Sequence, residues 1–228
     1  MINVNRWLEY KLSPYVIQLF HRLYYAHPDS WMKNIYLGYP IQQCPFDLQL
    51  YQELIFKLKP SFIIQTGVLQ GGSILYFATL LDLIGSTLEV PVIGVDITLT
   101  QRALSLSHAR IKLIEGSSID AATIEKVKEN IKPPVTNNKG MVILDSDHSK
   151  SHVLQELKLY SDFVGIGSYL VVEDTDINGH PVQRGWGDGP YEAVEIFLQK
   201  DRRFLRDNKL WQRNLFSFHQ FGWLKRIC

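Results

Sequence analysis

Apolar and polar positions along the chain follow two alternating patterns, which predict strands separated by helices. Five short apolar runs bounded by glycine, proline or polar residues are typical of buried strands, and between them apolar residues recur at helical spacing. The strand candidates are Phe62 to Ile64, Val92 to Val95, Ile111 to Ile114, Met141 to Leu144 and Tyr169 to Val172. The helix candidates are Gly72 to Ile84, Thr100 to Ala109, Ala121 to Asn130, Lys150 to Phe163 and Pro190 to Lys200. This order predicts an α/β fold with an open, mostly parallel sheet.

The two ends of the chain depart from this pattern. Ser13 as N-cap and Pro14 at the first helical position predict an opening helix, and a second helix from Asp47 to Lys59 ends at Pro60. The opening helix is expected to pack rather than to bind a membrane, because its polar face is not enriched in Lys and Arg. Its apolar positions are Val16, Leu19, Phe20, Leu23 and Tyr24. At the other end, Phe204 to Leu205 and Phe216 to Lys225 predict two strands of an antiparallel edge hairpin.

Composition and charge narrow the function classes. The chain has 228 residues, of which 46% are hydrophobic, and a formal net charge of +1 with scattered basic residues, so nothing favours a nucleic-acid role. Two cysteines, Cys44 and Cys228, are too few for a disulfide scaffold or a zinc site, which favours a reducing cytoplasm. Charged residues and Pro14 interrupt the first 26 positions, so neither a signal peptide nor a membrane span is expected there.

A glycine-rich turn follows the first strand of the predicted sheet. Gly67, Gly71 and Gly72 allow close backbone approach at the carboxyl end of that strand, where open α/β sheets bind ligands. Asp96 ends the next strand, and a carboxylate there suits the hydroxyls of a nucleoside ribose. The alternatives are a structural turn and a solvated strand-end carboxylate. Because both features occur in order, they favour a nucleotide-like ligand.

Acidic residues follow the fourth and fifth strand candidates. Asp145, Asp147 and His148 come after one strand, and Glu173 with Asp174 after the other. Parallel strands bring these groups to one edge of the sheet, where oxygen ligands suit Mg²⁺. His148 lies close enough to accept a proton from a hydroxyl bound there, although a surface histidine is the alternative. For Asp147, a helix N-cap is an equally good interpretation.

A pair of histidines and a long loop are two further candidates for a functional role. His148 and His152 have the i, i+4 spacing of a metal-binding pair, but Ser149 replaces the glutamate of H-E-x-x-H, so a zinc protease is disfavoured. Residues 178–190 form a long glycine-rich loop that is either a lid over the site or a plain surface connection.

In this order, the motifs resemble the class I S-adenosylmethionine-dependent methyltransferases, and among them the cephalosporin hydroxylase-like family that includes rhamnosyl O-methyltransferases. The matching segments are Tyr36-Leu37-Gly38, Pro45-Phe46-Asp47, Gly67 to Ser73, Gly94-Val95-Asp96, Glu115-Gly116-Ser117-Ser118, Leu144-Asp145-Ser146-Asp147-His148, Val172-Glu173-Asp174-Thr175, Gly179-His180-Pro181 and Gly189-Pro190-Tyr191-Glu192-Ala193-Val194. The resemblance implies a Rossmann-like fold with a mostly parallel seven-stranded sheet, an antiparallel C-terminal hairpin, helices on both faces and an N-terminal helical extension. Residues 1–60 would be a helical cap region and residues 61–228 the methyltransferase domain of a single-domain protein.

The resemblance also implies roles for individual residues. The glycine turn would bind the methionine part of S-adenosylmethionine, Asp96 its ribose, and Gly116 with Ser117 would border the adenine. Asp145, Glu173 and Asp174 would hold Mg²⁺, and His148 would be the general base. The cofactor-binding candidates are Gln65, Gly67, Gly71, Gly72, Ser73, Asp96, Gly116, Ser117, Asp145 and Asp147.

Two positions depart from the family pattern. Gln65 stands where relatives usually have an acidic residue, which removes a negative charge near the ammonium of the cofactor. Gln43 and Cys44 stand where relatives often have a lysine before the proline, so a substrate contact is expected to differ.

The predicted function is Mg²⁺-dependent O-methylation of a hydroxyl on a sugar or secondary metabolite by a homo-oligomer. A hydroxylase-type oxidoreductase is disfavoured, because the site lacks two histidines beside a carboxylate. A silent accessory subunit is the other alternative, favoured by Gln65 and opposed by the acidic cluster with His148.

Overall fold

The centre of the protein is a seven-stranded sheet, seen in a computed structural model that describes residues 4–87, 89–131 and 139–228, with side chains from residue 11 onward. The strands are β1 (Ile35–Tyr36), β2 (Tyr39–Pro40), β3 (Ile63–Thr66), β4 (Val92–Asp96), β5 (Ile111–Glu115), β6 (Met141–Leu144), β7 (Tyr169–Val172), β8 (Phe204–Arg206) and β9 (Trp223–Arg226). The order across the sheet is β5-β4-β3-β6-β7-β9-β8, and β1 and β2 form a separate antiparallel pair. Strands β5, β4, β3, β6 and β7 are parallel to one another, and β9 is antiparallel to β7 and β8. The predicted mostly parallel sheet with an antiparallel C-terminal edge is confirmed.

Helices cover both faces of this sheet. They are α1 (Val4–Ala26), α2 (Pro45–Leu58), α3 (Gly72–Leu83), α4 (Gln101–Leu104), α5 (Ala121–Asn130), α6 (Lys150–Tyr160), α7 (Pro190–Lys200) and α8 (Asn208–Gln212), with short 3₁₀ turns at Trp31–Lys33 and Ser161–Phe163. In β3, Ile63 belongs to the core cluster that contains residues of α2 and α3, whereas Ile64 belongs to the cluster that contains residues of α5, α6 and α7. Successive side chains of a strand point to opposite faces, so one four-residue strand supplies two cores.

The N-terminal helix begins earlier than the sequence predicts. Helix α1 starts at Val4, so Ser13 and Pro14 lie inside it, and the prediction of Ser13 as N-cap is wrong. Proline has a φ angle compatible with a helix, and its exposed position here limits the cost to the loss of an amide donor and local crowding. A proline inside a helical pattern is therefore an ambiguous start signal.

The C-terminal segment is strand only at its two ends. The hairpin of β8 and β9 is confirmed, but the part of Phe216 to Lys225 before Trp223 is not strand, and α8 stands between the two strands. Phe216 and Phe218 are buried with Cys44 against Tyr24 of α1. Their apolar character serves this contact, so the prediction of a strand from Phe216 onward is wrong before Trp223.

Helix α4 is shorter than the predicted Thr100 to Ala109. The Thr100 hydroxyl accepts a hydrogen bond from the Ala103 amide and caps the helix, which ends at Leu104. Leu106 then packs against the core cluster on the α2 and α3 side, so the chain leaves the helical path.

The predicted boundary at residue 60 stays a prediction. Leu50 and Ile55 of α2 share their core cluster with Ile63 of β3, so the two sides of that boundary pack together. Among the helices in the described ranges, none has both the length and the apolar character needed to cross a bilayer.

Candidate active site

A cavity of about 570 Å³ opens at the carboxyl edge of the sheet, where β3, β4, β6 and β7 end. The parallel register brings the loops after these strands to the same side, which is why the predicted residues meet there. The predicted residues that line the cavity are Gln65, Gly67, Gly72, Ser73, Asp96, Ser117, Asp145, Asp147, His148 and Asp174. Gly71, Gly116 and Glu173 lie outside its lining.

The glycine turn leaves no room for a side chain. Gly67 has φ of 79°, and a Cβ there would stand 1.9 Å from the Asp145 carbonyl oxygen. Gly72 has ordinary φ, but a Cβ would stand 2.3 Å from the Pro40 carbonyl oxygen. The backbone of the turn therefore forms a wall of the cavity directly, as close approach to a ligand requires.

Asp96 holds this turn in place. Its Oδ2 accepts hydrogen bonds from the backbone amides of Val68, at 2.8 Å, and Leu69, at 3.0 Å, while Oδ1 accepts from Thr98 at 3.2 Å. The carboxylate lines the cavity and is partly buried, so it is not a freely solvated strand end. Two carboxylate oxygens offer about four acceptor sites, which leaves capacity for ligand hydroxyls.

Gln65 presents an acceptor without a partner. Its Nε2 donates to the Gly67 carbonyl, at 2.6 Å, and lies 2.9 Å from the Ser73 hydroxyl, and only the amide nitrogen can pair with a carbonyl. The amide orientation is thereby fixed, and among the described residues Oε1 is buried with no hydrogen-bond donor. A buried unpaired acceptor that lines a cavity fits a ligand donor such as an ammonium.

Asp145, His148 and Asp174 converge at one end of the cavity. One ligand atom from each lies within 4.8 Å of the others. His148 Nε2 is 3.5 Å from Asp145 Oδ1, and His148 Nδ1 is 3.3 Å from Asp174 Oδ2. Burial disfavours the imidazolium, but the negative charges of Asp174 and Asp145 outweigh it and raise the pKa of His148 to about 9. Two carboxylates and an imidazole around one point suit either a divalent cation or proton transfer.

Glu173 stands behind this group rather than in it. Its Oε1 accepts from the Tyr51 hydroxyl at 2.6 Å, and its Oε2 accepts from Gln43 Nε2 at 2.5 Å. The same Gln43 nitrogen lies 3.3 Å from Asp145 Oδ2 and so connects the two carboxylates. Burial, and then the negative charge of Asp145, raise the pKa of Glu173. The structure thus brings Asp145 and Asp174 together, whereas the role of Glu173 as a metal ligand stays a prediction.

His219, which sequence reasoning missed, braces the loop after β7. The backbone amide of Asp174 donates to His219 Nδ1 at 3.0 Å, and Asp174 has φ of 51°, a left-handed conformation that is rare for residues other than glycine. His219 Nε2 lies 3.5 Å from Glu173 Oε2 and 3.7 Å from Asp47 Oδ2. Burial lowers the pKa of His219 to about 3, so the ring is neutral. The pattern of apolar and polar residues does not single out His219. Its neighbour Asp47 belongs to the matching segment Pro45-Phe46-Asp47, which was the one signal near it.

The residues after Asp145 have separate contacts. Ser149, and not Asp147, is the N-cap residue of α6, while Asp147 Oδ1 accepts from the Ser149 amide at 2.7 Å. His152 Nε2 lies 2.9 Å from the Ser118 hydroxyl and is absent from the group of possible metal ligands around His148. The disfavoured zinc-protease interpretation gains no support from this arrangement.

Residues 178–189 are attached at several points. Asn178 Nδ2 donates to Glu192 Oε1 at 2.9 Å, Lys150 pairs with Asp188, and Gln220 Nε2 donates to the His180 carbonyl at 2.6 Å. The Trp186 ring centroid is 6.5 Å from that of His148. The loop is therefore tied to α6, α7 and the segment before β9, and its role as a lid stays a prediction.

Comparison with known proteins identifies the chain's relatives. The family model described as rhamnosyl O-methyltransferase/CmcI matches residues 29–227. The rhamnosyl O-methyltransferase of Mycobacterium tuberculosis (strain H37Rv) is 37% identical over 221 residues, which cover 95% of this chain and 84% of that protein. The rhamnosyl O-methyltransferase of Mycobacterium leprae is 35% identical over 190 residues, which cover 82% and 80%.

Solved structures share the fold at low identity. A CmcI structure described as Mg-SAM superposes with a TM-score of 0.66 at 24% identity, covering 86% of this chain and 78% of that one. An O-methyltransferase from Bacillus cereus in complex with SAH gives a TM-score of 0.52 at 12% identity, covering 79% and 78%. These similarities confirm the Rossmann-like methyltransferase fold.

Proposed function

The chain belongs to the rhamnosyl O-methyltransferase/CmcI family, and from that premise we propose that it is an S-adenosylmethionine- and Mg²⁺-dependent O-methyltransferase. The proposed acceptor is a hydroxyl of a sugar or another secondary metabolite. The observation that carries the proposal is the convergence of Asp145, His148 and Asp174 beside a cavity whose other wall is the glycine turn.

The cavity offers polar groups that suit S-adenosylmethionine. Gln65 Oε1 would accept from the ammonium of the methionine part, and Asp96 from the ribose hydroxyls. Ser117 would border the adenine. Gly116 lies behind it, where a Cβ would stand 2.4 Å from the Thr123 hydroxyl. A neutral amide at position 65 preserves an acceptor without a formal charge, so Gln65 is compatible with binding.

The donor set also fits a hard divalent cation. Carboxylate oxygens of Asp145 and Asp174 would hold Mg²⁺, which prefers oxygen ligands. Glu173 remains a third proposed ligand, although its oxygens are engaged by Tyr51 and Gln43. When bound, S-adenosylmethionine supplies an electrophilic methyl group, and Mg²⁺ supplies the positive charge that favours the deprotonated acceptor hydroxyl.

His148 is the proposed general base. It would accept the hydroxyl proton at Nε2, the buried nitrogen that has no hydrogen-bond partner in the described part of the chain. The neutral ring that this step needs would be favoured by bound Mg²⁺, whose charge would offset the negative charges of Asp145 and Asp174 that raise the pKa of His148. Asp174 faces Nδ1 and would stabilise the imidazolium that results. The turn at Gly67 and the group around His148 meet through the Asp145 backbone, so donor and acceptor would be held side by side.

The two alternatives have less support. A hydroxylase-type redox site would need a second histidine beside the carboxylate, whereas the possible ligand group found among the described residues contains His148 alone. A silent accessory subunit would not need an imidazole held between two carboxylates beside the cavity.

Titration of S-adenosylhomocysteine into the protein tests the proposal without knowledge of the acceptor. We expect saturable binding by the wild type and its loss in Gly67→Val, where the Cβ meets the Asp145 carbonyl. An Asp96→Ala variant, in which only the turn anchor and the ribose acceptor are removed, serves as a second test if Gly67→Val fails to fold. Wild-type protein that does not bind would contradict the proposal.

A homo-oligomer and a cytoplasmic location complete the proposal. Helix α1 has a row of apolar side chains exposed to solvent, which are Leu12 at 55%, Tyr15 at 73%, Val16 at 61%, Leu19 at 52% and Leu23 at 62%. A second copy of the chain would cover this row, so truncation of residues 1–26 should reduce the number of chains per particle, which light scattering gives as the particle mass divided by the chain mass. An unchanged number of chains would contradict the interface. Cys44 and Cys228 are free thiols, which is consistent with a reducing compartment.

A further inference from the structure

A second cavity, of about 660 Å³, lies beside the one at the sheet edge. The end of α1, the turn at Trp31–Lys33 and the segment 181–184 of the loop after β7 form its walls. Trp31 lines both cavities, so they are neighbours. The predicted cofactor and metal residues line only the first, which leaves the second without an assigned occupant.

The walls of this second cavity have one sign of charge. Arg22 and Arg184 line it, and none of its described lining residues is acidic. Among the side chains described, those of residues 11–87, 89–131 and 139–228, neither guanidinium has an ion-pair or hydrogen-bond partner. Guanidinium groups bind carboxylates and phosphates with paired hydrogen bonds, so two unpaired ones facing one cavity favour an oxyanion.

Aromatic rings form the rest of the surface. The Tyr25 and Trp31 ring centroids are 5.4 Å apart, and Trp31 Nε1 donates to the Tyr25 carbonyl at 3.1 Å. Phe218 packs edge-on against Trp31 at 5.5 Å and holds it from behind. Fixed aromatic rings with one exposed side can receive the apolar face of a sugar ring.

The second cavity is tied to the acidic residues of the first. The Val182 amide donates to the Asp176 carbonyl at 3.0 Å, which joins its wall to the loop that carries Asp174. Burial raises the pKa of Tyr25 to about 12, and the negative charges of Asp174 and Asp176 add to this effect. Tyr25, which lines the second cavity, therefore lies within reach of the charge of Asp174.

We propose that the second cavity is the acceptor subsite, and that the acceptor is a glycoside carrying an oxyanion, either phosphate or carboxylate, which Arg22 and Arg184 bind. This inference rests on the proposed methyl transfer. The carboxylates of Asp145 and Asp174 repel the oxyanion while the arginines attract it, so the charges orient the acceptor with its free hydroxyl toward His148. The sugar ring then lies on Tyr25 and Trp31 between the two ends.

Calorimetric titration with matched probes tests this subsite. The phosphate pair is α-L-rhamnose 1-phosphate against methyl α-L-rhamnoside, and the carboxylate pair is methyl β-D-glucuronide against methyl β-D-glucoside. We expect one charged probe to bind at least about tenfold more tightly than its neutral match, because hydrogen bonds from a guanidinium to an oxyanion are charge-assisted. The pair with the larger ratio identifies the oxyanion as phosphate or carboxylate.

Substitutions of the two arginines test whether they cause the tighter binding of the charged probe. Arg22→Gln and Arg184→Gln should each reduce the affinity for the charged probe about tenfold and leave the neutral probe unchanged. Arg202→Gln is the matched control, since Arg202 is exposed and outside both cavities. Equal affinities within both probe pairs, or a charge preference that survives both arginine substitutions, would overturn the subsite.

Failure of this inference can be distinguished from failure of the proposed function. S-adenosylhomocysteine binding that persists while the probes show no charge preference rejects the subsite alone. If the wild type does not bind S-adenosylhomocysteine but prefers the charged probe, the methyltransferase assignment is rejected and the oxyanion site remains.

Discussion

The cofactor side and the metal side of the site are built in different ways. The cofactor side is formed by the backbone of one turn, Gly67 to Gly72, whose amides at Val68 and Leu69 donate to the Asp96 carboxylate at the end of the adjacent strand. The metal side consists of Asp145 and Asp174 held by remote residues, among them Gln43 on Asp145 and His219 on the Asp174 amide. Backbone shape therefore determines the cofactor side, and long-range side-chain contacts determine the metal side.

The largest effect is expected from removal of a central carboxylate. Asp145→Ala should abolish metal-dependent turnover, because it deletes one of the three proposed carboxylate ligands, and one of the two that converge with His148. Affinity for S-adenosylhomocysteine should stay within about threefold, since the glycine turn and Asp96 hold the cofactor. Methyl-transfer assays with and without Mg²⁺, together with calorimetry, measure both quantities. Turnover that responds to Mg²⁺ as in the wild type would remove Asp145 from the metal side.

His148→Ala should cost less than the loss of the ligand. The expected reduction in rate is about 10² to 10⁴, the usual contribution of a positioned general base, with metal and cofactor binding retained. The residual rate should rise with pH, because hydroxide replaces the missing base. The measurement is kcat against pH for the variant and the wild type. A normal rate in His148→Ala would show that the imidazole is not the base.

These two sides also differ in how far the sequence predicts them. The apolar runs from β3 to β7 and the acidic residues behind them follow from local pattern, because parallel strands bring their carboxyl ends to one edge. His219 could not be found this way, since its role depends on the packing of the segment before β9 against Asp174. Contact between remote segments also explains the wrong strand prediction, because Phe216 and Phe218 are apolar where α1 covers them. The wrong start of α1 has a local cause, since Pro14 lies inside a helix that starts at Val4.

His219 tests whether remote bracing matters to the metal side. His219→Leu removes the acceptor for the Asp174 amide and should weaken metal affinity about 10- to 100-fold, as loss of an outer-shell partner usually does. His219→Asn is the matched control, because its Oδ1 can accept the same hydrogen bond. The readout is Mn²⁺ affinity by electron paramagnetic resonance. Equal losses in Leu and Asn variants would assign His219 a packing role only.

The smallest effect is expected at the edge of the cofactor side. A Cβ at Gly71 would stand 2.6 Å from Leu106 Cδ1, in a residue with φ of 85°. Gly71→Val should therefore distort the turn and weaken S-adenosylhomocysteine binding by more than about tenfold, or 1.4 kcal/mol, without changing Mn²⁺ affinity. Gly85→Ala, at a positive-φ glycine with open space around it, is the control for backbone strain alone. Unchanged affinity in Gly71→Val would contradict the close fit of the turn.

The central claim is that this chain carries a cofactor side and a metal side that together transfer a methyl group from S-adenosylmethionine. The most direct test is calorimetric titration of S-adenosylhomocysteine into the wild type and Asp145→Ala, each with and without Mg²⁺. We expect saturable S-adenosylhomocysteine binding in all four titrations, and we expect a separate titration with Mg²⁺ to show binding only by the wild type. No binding of S-adenosylhomocysteine by the wild type, or identical Mg²⁺ binding by both proteins, would contradict it.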